Sequence, residues 1–461
     1  MKLAILGAGP GGYIAAIRAA HLGAEVTVIE KEEVGGTCLN WGCIPTKVII
    51  ASTGLLAKTK RFKEYGLIGT GEIKPDLAAI LARKNKIVRT QIQGIRSLLK
   101  HRGVTLKEGQ GSIASPRSID IHSRNGVRET VEADGLIIAT GSRPSQVAAF
   151  PFDGKQILSS NDMLNLTEIP KSLIIVGAGV IGCEFACIFK ELGSEVSVIE
   201  MLPRVLATED EEISAVLERE FKKKKIKVFT NKKVDSITAQ SDGVHALFPD
   251  GKKIIAEKAL IATGRAFNSE GIGLEEVGVQ TGPHGNIIAN RKLETSISGI
   301  YAVGDVIGGF LLAHVASKEG ITAVTNALGS DKAMDYSAIP SAIFTSPEIA
   351  SVGLREHQAS EQGIKIRTGH FQFRALAKAH TLGEIEGLVK VVADEKTDRV
   401  LGVHIIGPGA SVLVHEATLA IQNGLKTKDI GETVHAHPTL SEALMEAAKD
   451  VHGDAIHIIK K

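Results

Sequence analysis

"KLAILGAGPGGYIAAIRAAHLGAEVTVIE" (Lys2–Glu30) returns in altered form as "SLIIVGAGVIGCEFACIFKELGSEVSVIE" (Ser172–Glu200). Each copy reads as an apolar strand, a G-x-G-x-x-G turn, an amphipathic helix, a glycine, and a second strand ending in glutamate. In both copies 23 positions separate the first glycine from that glutamate, Gly7 from Glu30 and Gly177 from Glu200. The glycines of such a unit have separate tasks. The first makes the tight turn, the second lets backbone approach a pyrophosphate, and the third lets the helix pack close to the strand. The helix N-terminus then presents unpaired N–H groups and a partial positive charge to phosphates. The glutamate stands where it can accept hydrogen bonds from ribose hydroxyls. A lone glycine fingerprint is weak evidence. Here strand, helix and acid accompany it twice, so two dinucleotide-binding folds are expected.

Two such sites in one chain point to two cofactors exchanging electrons, most simply a flavin and a nicotinamide. A second internal echo agrees with this. "LIIATGSRP" (Leu136–Pro144) resembles "ALIATGRAF" (Ala259–Phe267), and each reads as a strand ending in a glycine turn that closes a nucleotide domain. "SISGIYAVGDV" (Ser296–Val306) is a further strand whose terminal aspartate could hold a sugar or ribitol hydroxyl. From about Ser337 the character changes. "GLVKVVADEKTDRVLGVHIIG" (Gly387–Gly407) reads as an antiparallel hairpin. An Ala/Leu-rich helix over about Ser411–Asn423 follows, and then "HAHPTLSEALMEAA" (His435–Ala448). This last region has no nucleotide signature, so its work is subunit contact, catalysis or both.

At 461 residues the chain exceeds what one core supports. Its 49 glycines and 4% aromatic content suit an α/β protein with many tight turns and speak against a stacking surface for nucleic acid. A net charge of +2 says little about partners, and the run Lys222–Lys225 reads as a solvated helix face rather than a nucleic-acid patch. The apolar stretches Leu3–Ile17 and Leu173–Phe189 carry glycine fingerprints at mid-segment, so neither reads as a signal or membrane segment. No transit peptide is visible, and a cytoplasmic location is expected. Four cysteines make no extracellular disulfide framework and fit a reducing compartment. Cys38 and Cys43 fall together in "GGTCLNWGCIPTK" (Gly35–Lys47), as a redox or catalytic pair would. Cys183 and Cys187, at i and i+4 in the second fingerprint helix, read as packing residues.

With "GGTCLNWGCIPTK", both fingerprints, "YAVGDVIGGFLLAHVASKEG", "IPSAIFTSPEIASVG" and "HAHPTLSEALMEAA" in this order, the chain resembles the flavoprotein disulfide reductases over effectively its full length. Within them it is similar to the branch that oxidises dihydrolipoamide. The resemblance implies two Rossmann-like dinucleotide-binding domains, FAD-binding over 1–145 and NAD-binding over 146–268. It adds a central domain over 269–337 that completes the FAD site and a C-terminal α+β dimerisation domain over 338–461. It places Gly7, Gly9, Gly12 and Glu30 on FAD, with Asp305 on the ribitol, and Gly177, Gly179, Gly182 and Glu200 on NAD. Lys47, Thr140, Gly141, Ala313 and Gly264 complete the cofactor set. Cys38 and Cys43 match the redox disulfide, Cys38 exchanging with substrate and Cys43 passing electrons to FAD. Lys47 and Glu184 match an ion pair beside the flavin and nicotinamide rings. His437 and Glu442 match an acid–base dyad that reaches the disulfide of the partner subunit. The implied partners are a second copy of the chain, sharing its active site, and a lipoyl-carrying protein of a 2-oxo acid dehydrogenase or glycine-cleavage system. No nucleic acid, membrane or metal is implied. Trp41 stands where members vary, and Thr46 where serine is common.

The residue chemistry agrees with these roles. An imidazole titrates near neutral pH, so His437 can take a proton from a substrate thiol and return it. A carboxylate beside it fixes the tautomer and favours the imidazolium. His435 reads as structural, since His435-x-His437 has no further clustered ligands for a metal. Glu200 would repel a 2′-phosphate, which favours NAD over NADP, although Arg204 stands four residues on. Relatives that reduce mercuric ion or thioredoxin would need a cysteine pair near the C-terminus, absent from "DAIHIIKK". On a regular helix, residues five apart have Cα atoms roughly 8–9 Å from each other, whereas a disulfide tolerates about 4.4–6.8 Å. A Cys38–Cys43 bond therefore needs a distorted helix. Gly42 permits this and Pro45 encourages it, by clashing with the Trp41 carbonyl.

Overall fold

A computed structural model of the chain describes residues 1–69 and 71–459. They form two compact units. The first comprises Met1–Ala148, Leu158–Glu168 and Thr263–Met334; the second comprises Ala149–Ile157, Ile169–Ala262 and Asp335–Lys461. The segment 269–337 thus falls almost wholly with the first fingerprint, and the C-terminal segment falls with the second.

In the first unit the strands Ile300–Ala302, Gly135–Ile138, Lys2–Leu6, Glu25–Glu30 and Thr105–Ser115 lie side by side in parallel, and Ser118–Ser123 and Arg128–Glu132 extend the sheet antiparallel. The strands Lys2–Leu6, Gly135–Ile138 and Ile300–Ala302 are almost wholly buried and mainly apolar because both faces are covered. Leu3, Ile5, Val28 and Ile137 enter one core, whereas Ala4, Leu6, Ile29 and Ile138 enter the other. Helix Pro10–His21 begins directly after the first fingerprint turn.

The second unit repeats this start. Strands Lys227–Phe229, Glu195–Ile199, Ser172–Val176 and Lys258–Ile261 are neighbours in parallel, and helix Val180–Leu192 follows the second turn. An antiparallel sheet then orders Ser341–Ile343, Ile349–Gly353, Val400–Ile406, Leu388–Asp394 and Ile366–Gln372. The expected hairpin is its centre, and the expected helix runs Ala410–Gln422. That helix and Glu442–Asp450 contribute Val414, Ala417, Leu444 and Ala447 to a core with Phe371, Val389, Val391, Val403 and Ile405.

The other face of this sheet is polar along one rung. Ser341, Ser351, His404, Lys390 and His370 are successive cross-strand neighbours. Ser351, Lys390 and His370 meet the acids at the start of helix Glu211–Lys223. Lys390, 3% exposed, reaches Asp210 at 3.0 Å, Glu212 at 2.8 Å and Glu356 at 2.8 Å. His370 pairs with Glu212 at 3.1 Å. Ser351 donates to Glu209 at 2.6 Å, and Arg355 holds the same carboxylate at 3.2 Å. Asp210 also accepts the Glu212 N–H at 3.0 Å and so caps the helix. At the helix's far end the lysine run is partly paired, Lys223 with Glu220 and Glu386 and Lys224 with Glu191. Among the described residues no helix is long and apolar enough to cross a membrane.

Removing Lys390 strands the buried Asp210 carboxylate without a cation, so Lys390→Met is expected to cost about 3–5 kcal/mol, read as a fall in the denaturation midpoint. The rung also sets a pH window. The hydrogen bond from His370, reinforced by Lys390 against burial, holds the Glu212 carboxyl down at about 2. Its contribution is complete above the ordinary value of 4.5 and is lost as pH falls toward about 2. The same bond to Glu212 raises His370 above its ordinary 6.5, so its contribution is complete below 6.5 and fades as pH rises through the raised value. Midpoints measured across pH should fall on both sides of this window, and His370→Gln should flatten the alkaline fall.

Candidate active site

The two fingerprint turns are built alike. Gly7 has φ +105° and Gly177 φ +103°, a region that favours glycine. A Cβ on Gly12 would lie 1.9 Å from the Gly7 carbonyl oxygen, and one on Gly182 would lie 1.9 Å from that of Gly177. Gly9 and Gly179 differ from these. A Cβ on Gly9 would meet nothing closer than the Gly36 Cα at 3.8 Å, and one on Gly179 would meet nothing within 4 Å. Both are the N-caps of their helices and lack a side-chain cap. First and third glycines are thus consumed by packing, and the second keeps a phosphate-sized approach open beside free helix N–H groups.

Glu30 ends the second strand of its unit and Glu200 directly follows that of the other, each 9% exposed. Burial raises the Glu30 carboxyl against the two backbone N–H bonds it accepts, from Glu32 and Ala8. Arg204, the residue that could have welcomed a 2′-phosphate, is committed elsewhere. It pairs with Glu211 at 3.1 Å and donates to the carbonyls of Ala207 and Glu209.

The cysteine stretch is two helices rather than one distorted helix. Gly36–Asn40 ends at Trp41, and Cys43–Thr59 begins after Gly42. A Cβ on Gly42 would lie 3.0 Å from the Thr37 carbonyl, which also takes the Trp41 N–H at 2.9 Å. Pro45 is the third residue of the new helix, where its missing N–H costs no helical bond. Thr46 donates its hydroxyl to the Gly42 carbonyl at 2.6 Å, a bond serine could make equally. The break brings Cys38 and Cys43 into hydrogen-bond contact, and the two sulfurs are not joined in a disulfide. That bond to Cys43, then burial and the charge of Cys43, push the Cys38 thiol far up, with Lys47 opposing. Cys43 is the more exposed of the two. Cys183 and Cys187 are buried, as expected of packing residues.

A cluster that sequence reasoning missed adjoins this pair. Ser142 donates its hydroxyl to Asp305, and Arg265 approaches the same carboxylate oxygen at 3.7 Å. Arg265 also donates to the Ser142 hydroxyl at 2.6 Å and carbonyl at 2.7 Å. Thr37 donates to that carbonyl at 3.3 Å. Burial lowers the Arg265 guanidinium, while the charges of Asp305 and Cys43 raise it. A signal existed. Ser142 and Arg265 each follow the glycine of an A-T-G echo, and the two echoes pair antiparallel, Ser142–Pro144 with Arg265–Phe267. Glu319, 2% exposed, accepts the Gly304 N–H at 2.7 Å and so fixes the turn that carries Asp305. Gly141 and Gly264 both have positive φ in these turns, and Ala313 opens helix Ala313–Ala327. Thr140 Oγ1 is buried with no hydrogen-bond partner among the described residues. A buried hydroxyl left so is costly unless a ligand satisfies it.

In the second unit His437 Nδ1 lies 2.8 Å from Glu442 Oε1. Glu442 is the first residue of its helix, and its other oxygen accepts the Thr439 N–H at 2.8 Å. Burial raises the Glu442 carboxyl, but the bonds from His437 and Thr439 outweigh it and hold the group below its usual value. His437 is 70% exposed. His435 has a side chain only 5% exposed and is held by Glu416 and the Thr433 carbonyl. Glu184, 3% exposed, accepts the Phe344 N–H at 2.9 Å, so its buried carboxylate has a partner in its own unit. Lys47 belongs to the other unit.

A phosphate cradle with an orphaned hydroxyl, a dithiol and a second phosphate cradle define a disulfide reductase of the two-dinucleotide class. Residues 1–320 match the pyridine nucleotide-disulphide oxidoreductase family, and 339–448 match its dimerisation domain. The chain belongs to this family, whose cofactors are FAD and NAD(H), and its dimerisation domain makes it a homodimer. Dihydrolipoyl dehydrogenase of Thermus scotoductus is 42% identical over 100% of this chain and 99% of its own length. Mitochondrial dihydrolipoyl dehydrogenase 1 of Arabidopsis thaliana is 40% identical over 98% of this chain and 91% of its own. The crystal structure of LpdA from Mycobacterium tuberculosis superposes with a TM-score of 0.92 at 32% identity, over 97% of this chain and 99% of that one.

Arg265→Met removes the cation beside Asp305 and two bonds to Ser142. The expected outcome is about tenfold weaker FAD retention, from the loss of hydrogen bonds to a charged group. It is measured as flavin fluorescence released on dilution.

Proposed function

We propose that the chain oxidises protein-bound dihydrolipoamide to lipoamide through Cys38 and Cys43, with reduction of NAD+ to NADH. It would serve as the E3 component of a 2-oxo acid dehydrogenase or glycine-cleavage complex, with a lipoyl-carrying protein as partner. The observation that carries this reading is the hydrogen-bonded Cys38–Cys43 pair at a helix break, in a chain with full-length relatives named dihydrolipoyl dehydrogenase. The proposed functional segments are 1–145 for FAD, 146–268 for NAD, 269–337 completing the FAD site and 338–461 for the dimer. The proposed location is the cytoplasm, a reducing compartment in keeping with four cysteines that build no disulfide framework.

Glu442 accepts from Nδ1 of His437, which leaves Nε2 as the basic nitrogen. His437 of one subunit takes the proton of a substrate thiol. The thiolate attacks the Cys38 sulfur of the oxidised pair, the Cys38–Cys43 bond breaks, and Cys43 leaves as thiolate. The second substrate thiol then attacks the substrate sulfur of the mixed disulfide, lipoamide departs, and this thiol's proton ends on Cys38 while the first remains on His437. Two electrons now reside on the pair, with its charge on Cys43 beside Lys47 and Arg265. Bound FAD supplies the two-electron relay from this dithiol to NAD+. Its proposed contacts are Gly7, Gly9, Gly12, Glu30, Lys47, Thr140, Gly141, Asp305 and Ala313. NAD is assigned to Gly177, Gly179, Gly182, Glu200 and Gly264, and Glu184 is proposed to pair with Lys47. The commitment of Arg204 to Glu211 supports NAD over NADP.

Cys43→Ser should abolish NAD+-linked oxidation of dihydrolipoamide, assayed beside NADP+ and beside oxidised glutathione with NADPH. Wild-type turnover by that variant would sink the mechanism. Subunit sharing has its own test. Inactive Cys43→Ser and inactive His437→Gln dimers, mixed and allowed to exchange, should regain about a quarter of wild-type activity, because each hybrid holds one intact site. No recovery in verified hybrids would place each site within one subunit.

A further inference from the structure

The two glutamates that end the fingerprint strands do the same unexpected thing. Glu30 Oε2 accepts the Ala8 N–H at 2.7 Å, and Oε1 accepts the Glu32 N–H at 2.8 Å. Glu200 Oε2 accepts the Ala178 N–H at 2.6 Å, and Oε1 accepts the Leu202 N–H at 2.8 Å. Ala8 and Ala178 are the residues between the first and second glycines, and both are fully buried. Their carbonyls are engaged as well. Ala8 accepts the Gly35 N–H at 2.8 Å, and Ala178 accepts the Leu206 N–H at 2.8 Å. Two halves of one chain with different surrounding sequence therefore share one bond pattern.

We propose that Glu30 and Glu200 are positioning residues for the pyrophosphate loops, beyond any role as ribose acceptors. One carboxylate oxygen holds the loop amide between the glycines, and the other holds the turn after the strand. This sets the loop before a nucleotide arrives. Only glutamate does both. A glutamine side chain has one acceptor oxygen and must turn its NH₂ toward one of the two N–H groups, breaking that bond. Aspartate is shorter by one methylene. In the first unit the hold extends further, because Ala8 also anchors Gly35, the residue that begins the cysteine stretch. Glu30 thus positions the dithiol through the flavin loop. A consequence is that substituting Glu200 to admit a 2′-phosphate also loosens the loop that binds every nicotinamide dinucleotide.

The inference rests on the proposed assignment of NAD to the second loop, and its test reads that loop directly. In wild-type FAD-loaded dimer without nicotinamide nucleotide, the Ala178 amide should already exchange slowly with deuterium; rapid exchange overturns the proposal whether or not any variant folds. Glu200→Gln should speed that exchange about tenfold, the effect of one lost charge-assisted bond. It should weaken NADH binding by a similar factor. It should also weaken nicotinamide mononucleotide several-fold, although this probe carries a phosphate and no adenosine ribose. Weaker NADH with unchanged mononucleotide affinity and unchanged exchange would reduce Glu200 to a ribose acceptor. For Glu30→Gln the expected readout is an altered charge-transfer absorbance of the two-electron-reduced enzyme; an identical spectrum overturns the extension to the dithiol. Loss of the dihydrolipoamide reading leaves the exchange result untouched, so the two can fail separately.

Discussion

Between Gly7 and Gly12 there is no room for a carbon atom. A Cβ on the second would stand 1.9 Å from the carbonyl of the first, and Gly177 and Gly182 meet in the same way. This contact lets a helix start within touching distance of a strand end. Its consequences spread outward. The helix N-terminus and its unpaired N–H groups face the loop, the middle glycine stays open to phosphate, and the buried glutamate closes the loop from beneath. In the first unit the loop also touches the cysteine stretch, since a Cβ on Gly36 would lie 2.6 Å from the Gly9 Cα. Phosphate cradle and dithiol are therefore one packed object.

The spacing of the two cysteines follows from a second constraint. Helical geometry keeps residues five apart beyond disulfide reach. The chain resolves the conflict by ending one helix at Trp41 and starting another at Cys43. Pro45, which would break a continuous helix, becomes harmless in a first turn. The expectation of distorted backbone was legible because both constraints are local. The division into two helices was not, because it depends on Gly42 packing against the Thr37 carbonyl. The upward push on the Cys38 thiol was equally hidden, since it comes from the bond to Cys43 and from burial.

Long-range polar contacts left the weakest trace. Ser142 and Arg265 are 123 positions apart, and Ser142 and Asp305 are 163 apart. The alignment of two echoes pointed at Ser142 and Arg265, but nothing local said that the echoes pair with each other. The rung of Ser341, Ser351, His404, Lys390 and His370 was less visible still. In "GLVKVVADEK" and "LGVHIIG" a lysine and a histidine interrupt apolar runs, as the solvent side of a half-buried strand would. Burial of Lys390 among Asp210, Glu212 and Glu356 is decided by where helix Glu211–Lys223 begins, which no strand pattern contains.

By itself the sequence determined the two nucleotide-binding folds, the hairpin and helix of the C-terminal region, and the packing role of Cys183 and Cys187. Each of these rests on spacing along the chain, and backbone geometry converts spacing into position over short distances. Only the tertiary structure decided that Arg204 is taken by Glu211, that Thr140 keeps a buried hydroxyl unsatisfied, and that Arg265 and Ser142 attend Asp305. Only it set Glu30 and Glu200 against the amides of their loops. The physical reason is common to all of them. A hydrogen bond depends on a few tenths of an ångström, and between residues far apart in sequence that distance is fixed by the packing of everything between them.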